Sequence, residues 1–228
     1  MGEAKRKREQ ARKQQSQQLS RPPLKHSPAD AVTVLQAANA FREYARPFCE
    51  KAAESFSPDE VRGVEDKDFG NVIASATNLA FAIELYMKAL RILKELGPMR
   101  THDLATLYAG LPKDLRRAIK VTYDDAQKKV DPSQPARAIG VVIVHKDALA
   151  QDRSLGILAT DWSLRAVLER SRDLFRGWRY LYDQGEPGKV KRVYYEYQWL
   201  EAAADALRHH ASLAVQELYT AGMTLNPE

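Results

Sequence analysis

An all-α, up-and-down helical bundle of four to five principal helices is the predicted fold, and three observations predict it. Between Leu79 and Leu93 the apolar residues fall at 79, 80, 81, 82, 83, 85, 86, 87, 89, 90, 92 and 93. They cover most of a helix circumference, the mark of a helix surrounded by protein. Several other stretches carry apolar residues at three- and four-residue steps. No repeat organises the 228 residues, so the helices form one bundle rather than a solenoid. At this length one core is expected, because cores stop growing only near ~250 residues.

Residues 1 to 28 are rich in Lys, Arg, Gln, Ser and Pro, and Leu19 and Leu24 are almost their only large apolar side chains. Burial cannot offset the entropy of ordering such a segment, so it is expected to be a disordered basic tail. Residues 29 to 228 are expected to form a single helical domain. Its first helix starts at Ser27, Pro28 and Asp30, shows Val32, Leu35, Ala38, Phe41 and Ala45 on one stripe, and either ends near Pro47 or continues to Phe56. A charged turn with Gly63 follows. The second helix then runs from Asp66 or Phe69 to Leu96, where Gly97 and Pro98 stop it.

Thr101 suits an N-cap and Asp103 a first turn, so a short third helix is expected to begin at His102. Pro112 and Asp114 open a fourth, with Leu115, Ile119, Tyr123 and Ala126 inward, until Asp131, Pro132 and Pro135 break it. Ile139 to Val144 has strand propensity, but no partner strand is evident and an isolated strand is unstable, so the sequence does not decide between strand and helix there and strand is the less favoured. From an N-cap at Asp161, the positions Leu164, Val167, Leu168, Leu174, Phe175, Trp178, Leu181 and Tyr182 predict one long core-facing helix. Gly185, Pro187 and Gly188 turn the chain, and a last helix from about Val193 to Thr220 carries Tyr197, Leu200, Ala204, Leu207, Ala211, Val215 and Leu218.

The net charge of +5 resembles a nucleic-acid signal until it is divided along the chain. Residues 1 to 26 hold eight Lys/Arg against Glu3 and Glu9, and the rest of the chain holds 27 basic residues against 28 acidic ones. The basic excess therefore sits in the tail, where Lys5, Arg6, Lys7, Arg8, Arg12 and Lys13 are candidate nucleic-acid contacts. Cys49 is the only cysteine, which excludes an intrachain disulfide and a cysteine-based metal cluster and fits a reducing, cytoplasmic setting. No stretch approaches the ~20 apolar residues of a membrane span, and no apolar core of a secretory signal is evident near the N-terminus.

The stretch Ala76 to Leu90, reading A-x-x-L-A-F-A-I-E-L-Y-M-K-A-L, precedes a Gly-containing turn, T-H-D-L at Thr101 to Leu104, and F-R-G-W-R-Y-L-Y-D at Phe175 to Asp183. In this order and spacing the chain resembles the HEPN superfamily of prokaryotic helical domains over about residues 65 to 183. The resemblance implies a helical bundle, commonly a homodimer, in toxin–antitoxin and phage-defence systems. It implies no cofactor and leaves a protein or RNA as partner.

Many members of that family are metal-independent ribonucleases that place an Arg four to six residues before a His. Such chemistry needs an acid/base group at ribose and a cation for the developing phosphorane charge. None of His102, His145, His209 and His210 has an Arg at that distance, and Arg21 with His26 meets it only across Pro22 and Pro23 of the tail. A noncatalytic binding or regulatory module is therefore expected, with an RNA-cleaving toxin built on Arg100 and His102 as the alternative.

Other residues are candidates for ligand or phosphate contact. Glu84 precedes Lys88 by four positions, the favourable order for a pair on one helical stripe. Arg172, Arg176 and Arg179 fall along one stripe, and guanidinium suits bidentate phosphate recognition. Tyr194, Tyr195, Tyr197 and Trp199 follow Lys189, Lys191 and Arg192, a pattern able to stack on bases, although Tyr197 also belongs to a core stripe. His209 and His210 lie near Asp205, but no third ligand stands at a matching spacing, so no metal site is expected.

Overall fold

The computed structural model describes residues 27–55, 66–97, 99–129, 138–144, 161–172 and 190–221. Helix dominates them, in a bundle of α1 (Pro28–Ser55), α2 (Asp66–Leu93), α3 (Leu104–Ala109), α4 (Lys113–Gln127), α5 (Leu164–Arg170) and α6 (Tyr197–Thr220). Two strands, β1 (Ala138–Val144) and β2 (Val190–Glu196), accompany them. Four of the helices are long, as the apolar spacing predicts. No helix among the described residues is long and apolar enough to cross a membrane.

α2 is the central helix because it is apolar on nearly every side, and α1, α3 and α6 all pack on it. Ser75 Oγ donates to the Ala45 carbonyl at 3.1 Å and Tyr86 Oη donates to Asn39 Oδ1 at 2.8 Å. Residues advancing along α2 thus meet residues retreating along α1, so the two are antiparallel. α6 lies parallel to α2, since Tyr195, two residues before it, bonds Ser75 while Glu217 approaches Lys94. Buried Ala76, Ala80 and Ala82 on α2 and Ala202, Ala203, Ala204 and Ala206 on α6 keep the facing surfaces thin enough for close packing.

Among the described residues the three largest fully buried side chains are tyrosines, and each satisfies its hydroxyl. Tyr86 bonds Asn39, Tyr123 donates to the Trp162 carbonyl at 2.7 Å, and Tyr195 shares a 2.7 Å bond with Ser75 Oγ. Burial pushes the Tyr86 hydroxyl up to about 12, although the nearby Arg42 and Arg208 pull it down. Arg42, only 2% exposed, reaches from α1 to Glu201 Oε1 at 2.5 Å and Asp205 Oδ1 at 2.8 Å on α6. Desolvation works against the Arg42 charge, but the hydrogen bond and charge of Glu201, with Asp205, hold its pKa above the ordinary value.

Several element boundaries differ from expectation. Residues 138–144 form a strand rather than helix, because β2 supplies the missing partner in antiparallel register from Ala138 opposite Glu196 to Val144 opposite Val190. Accordingly the last helix begins at Tyr197, not Val193. Asp161 does not cap α5; its Oδ1 accepts from Ser163 N at 2.9 Å, and Ser163 is the cap. The long helix expected from 161 to 182 ends at Arg170, where Ser171 turns the chain and the Arg172 carbonyl accepts from Leu104 N. Its expected second half lies outside the described residues.

α2 ends at Leu93, three residues short of the expected Leu96. Leu96 N donates to the Arg91 carbonyl and Glu95 N to the Ile92 carbonyl, the bond pair of a Schellman turn with Glu95 in the left-handed position at φ 54°. Gly97, at φ 65°, follows as a second left-handed residue, which only glycine adopts without penalty. Pro98 and residues 1–26 lie outside the described residues.

Candidate functional site

Glu84 sits on the nearly all-apolar α2 with its side chain 1% exposed. A carboxylate in such surroundings must be paired and hydrogen-bonded to remain charged. Lys88, one turn on, donates from Nζ to Oε1 at 2.6 Å. His102, beyond the turn, places Nδ1 3.0 Å from Oε1 and 2.9 Å from Oε2. A carboxylate is an acceptor, so Nδ1 carries the proton that faces it. The imidazole itself is half exposed, at 52%. One buried anion thus holds an ammonium and an imidazole side by side at the surface.

The turn that delivers His102 is fixed by its neighbours. Asp103, not Thr101, caps α3, accepting from Thr106 N at 3.0 Å, while Thr101 Oγ1 accepts from Asp103 N at 3.1 Å. α3 therefore begins at Leu104, two residues later than expected, and His102 precedes it. Asp103 Oδ2 also receives Arg172 Nη2 at 2.5 Å and Nε at 3.1 Å. Partial burial pushes the Asp103 carboxyl up, but hydrogen bonds from Thr106 and Arg172 together outweigh it and hold the pKa below the ordinary value.

Arg91 closes the turn from beneath. Its Nη1 donates to the Gly110 carbonyl at 2.7 Å, and Nη2 donates to the carbonyls of Leu96 and Gly97 at 2.8 and 3.1 Å. A Cβ on Gly110 would lie 2.8 Å from Arg91 Nη1 and from Met99 Sδ, so a larger residue there would make these side chains shift. Burial lowers the Arg91 pKa.

Of the residues proposed from sequence, the structure brings Glu84, Lys88 and His102 together and ties Arg172 to the same turn through Asp103. Arg100 is exposed and makes no hydrogen bond or ion pair among the described residues. Arg176, Arg179 and the tail residues Lys5, Arg6, Lys7, Arg8, Arg12 and Lys13 lie outside the described residues. Three aromatics before and within α6, Tyr195, Tyr197 and Trp199, pack within the protein. Tyr195 is buried, Tyr197 packs on the core, and Trp199 stacks on Trp162 at 5.0 Å. Arg170 lies over Trp162 and pairs with Glu196, which pins the end of β2. Among the described residues no group of three His, Cys, Asp or Glu side chains could hold a metal ion.

Sequence reasoning missed the roles of Arg91, Asp103 and Arg42. Each charge was visible, but Arg42 and Arg172, the latter bound by Asp103, find carboxylates in distant segments and Arg91 finds backbone carbonyls, and no local spacing signals either. Chemically, the Glu84 centre can present positive hydrogen-bond donors to an anionic group and hold an imidazole in a set orientation. Compared with models of known families, with curated proteins and with solved structures, the chain matches none.

Proposed function

We propose that this chain is a noncatalytic HEPN-like helical module that binds or regulates a partner as a homodimer, within a prokaryotic defence or toxin–antitoxin type of system. The observation that carries the noncatalytic part is the position of Arg100. The arginine nearest His102 in sequence stands exposed on the turn without a partner among the described residues, rather than sharing a pocket with the imidazole. Lys88, His102 and Arg172 are the surface through which an anionic group of a partner is held.

Incubation of the purified protein with total RNA and tRNA, beside His102→Ala and Arg100→Ala, tests this reading. No cleavage by any of the three is expected. Cleavage by the native chain that disappears in both variants would overturn it.

One observation favours the second reading, an RNA-cleaving toxin. A carboxylate on Nδ1 is the arrangement by which a half-exposed histidine is oriented for proton transfer. In that case Glu84→Gln would lower the cleavage rate without abolishing it, since the imidazole remains.

A further inference from the structure

Away from the Glu84 centre, α3, α4 and α5 enclose a cavity of about 190 Å³. Its apolar wall consists of Ala105, Tyr108 and Ala109 from α3 and Leu168 from α5, the last fully buried. Tyr108 is immobilised there, because its hydroxyl donates to the Arg116 carbonyl at 2.9 Å. Arg116 from α4 lines the same cavity. Its guanidinium has no hydrogen-bond or carboxylate partner among the described residues, and since Nε is shut off from the cavity it is the terminal nitrogens that a ligand would meet. Arg116 is thus a cation lining the cavity that no carboxylate among the described residues neutralises, and an anionic acceptor would complement it.

The remaining lining residues set the charge that such an acceptor meets. Arg165 and Glu169 pair with each other at 2.7 Å and are largely exposed, which places them at the rim. Counting Arg116, the walls carry one net positive charge. A single carboxylate balances it, whereas a phosphate dianion would bring an extra negative charge towards Glu169. The cavity is also too small for drug-sized ligands, which occupy ~300 Å³ or more. Planar carboxylate suits guanidinium, and the alanine, leucine and tyrosine walls suit an apolar body.

We propose that this cavity binds a small monocarboxylate with a compact aryl or branched aliphatic body. Its carboxylate pairs with Arg116, and its body rests against Ala105, Ala109, Leu168 and the Tyr108 ring. The site is separate from the Glu84 centre and does not depend on how that centre functions.

Titration of the full chain with benzoate, followed by the methyl NMR signals of Ala105, Ala109 and Leu168, tests it. Saturable shifts at millimolar benzoate are expected, with benzyl alcohol and inorganic phosphate at least tenfold weaker. Arg116→Gln should weaken benzoate binding at least tenfold, and Ala105→Leu, which fills the cavity, should remove it. Thermal melts establish that both variants fold; should Arg116→Gln fail to, Ala105→Leu decides alone. The proposal fails if the signals do not move, if benzyl alcohol matches benzoate, or if a folded variant binds benzoate as the native chain does.

Discussion

Glu84 Oε2 lies 2.9 Å from His102 Nδ1, a contact that crosses the turn between α2 and α3 and joins residues 18 positions apart. Its energetics are asymmetric. The carboxylate is buried, whereas Lys88 and His102 reach solvent. In Glu84→Gln the two partners, Lys88 and His102, regain water, and the loss should be about 1–2 kcal/mol. Removing both partners, as in Lys88→Met with His102→Leu, leaves a buried carboxylate unpaired and should cost ~3–5 kcal/mol. Urea denaturation of the two variants ranks them, and a larger loss in Glu84→Gln would show that the carboxylate is not the group that needs partners.

Asp103 both caps α3 and pairs with Arg172, and the cap should be the stronger contribution. Arg172 is 57% exposed, so its ion pair adds little. Asp103→Ser keeps an N-cap acceptor and should cost a few tenths of a kcal/mol, while Asp103→Ala should cost ~1 kcal/mol. The folded carboxyl titrates below its ordinary 3.8. Its stabilising effect is therefore complete above that value and is lost as pH falls through the lower folded one. The acid limb of the stability curve should be shallower in Asp103→Asn than in the native chain.

Glu95 occupies a left-handed position at φ 54° that a Cβ disfavours. Glycine two residues on shows that the turn already needs one such residue, and the Schellman bonds of Glu95 and Leu96 use backbone only. Glu95→Gly should therefore stabilise the protein by ~1 kcal/mol despite the freedom glycine adds to the unfolded chain. A higher melting temperature confirms it; an unchanged or lower one would mean that the Glu95 side chain contributes contacts that offset the strain.

These cases show which parts of the molecule local sequence carries. The apolar circumference of α2 and the stripes of α1, α4 and α6 were legible because a buried helix face repeats every three or four residues. The Glu84–Lys88 pair was legible for the same reason. β1 was not, since its partner begins 46 residues beyond its end, and pairing across that distance leaves no local pattern. The end of α5 was not either: the apolar spacing continues past Arg170, but the Leu104–Arg172 backbone bond and the Asp103–Arg172 pair belong to tertiary structure. His102 was visible as a turn residue, and its buried acceptor was not, because Glu84 lies 18 positions away and meets it only across the turn between α2 and α3.

His210 on α6 packs beside α4, where its Nε2 lies 2.9 Å from Thr122 Oγ1. Burial lowers its pKa below the ordinary 6.5, and the adjacent His209 lowers it further, against a backbone hydrogen bond to Ala118 that raises it. The folded protein thus binds its proton less readily than the unfolded chain. Stability from this group is full above 6.5 and is lost as pH falls through the lowered folded value. His210→Gln retains a polar partner for Thr122 without titrating. Denaturant midpoints measured from pH about 5 to about 7.5 should rise more steeply for the native chain than for the variant. Parallel curves would place the pH dependence elsewhere.

Arg42 is the strongest electrostatic tie between α1 and α6, bonding Glu201 through Nε at 2.9 Å and Nη2 at 2.5 Å. Arg42→Met leaves Glu201, 16% exposed, without its main cation, and should cost about 3 kcal/mol or more. Arg42→Met with Glu201→Leu removes both charges from the same space. The double variant should regain most of the loss, because apolar side chains of similar volume replace buried ion pairs at little net cost. Asp205, 46% exposed, keeps access to water and to Arg208 at 3.5 Å, so it does not become a second uncompensated charge. A double-mutant cycle by urea denaturation measures this directly, and a double variant less stable than Arg42→Met would show that the ion pair itself, not the relief of a stranded charge, holds α1 against α6.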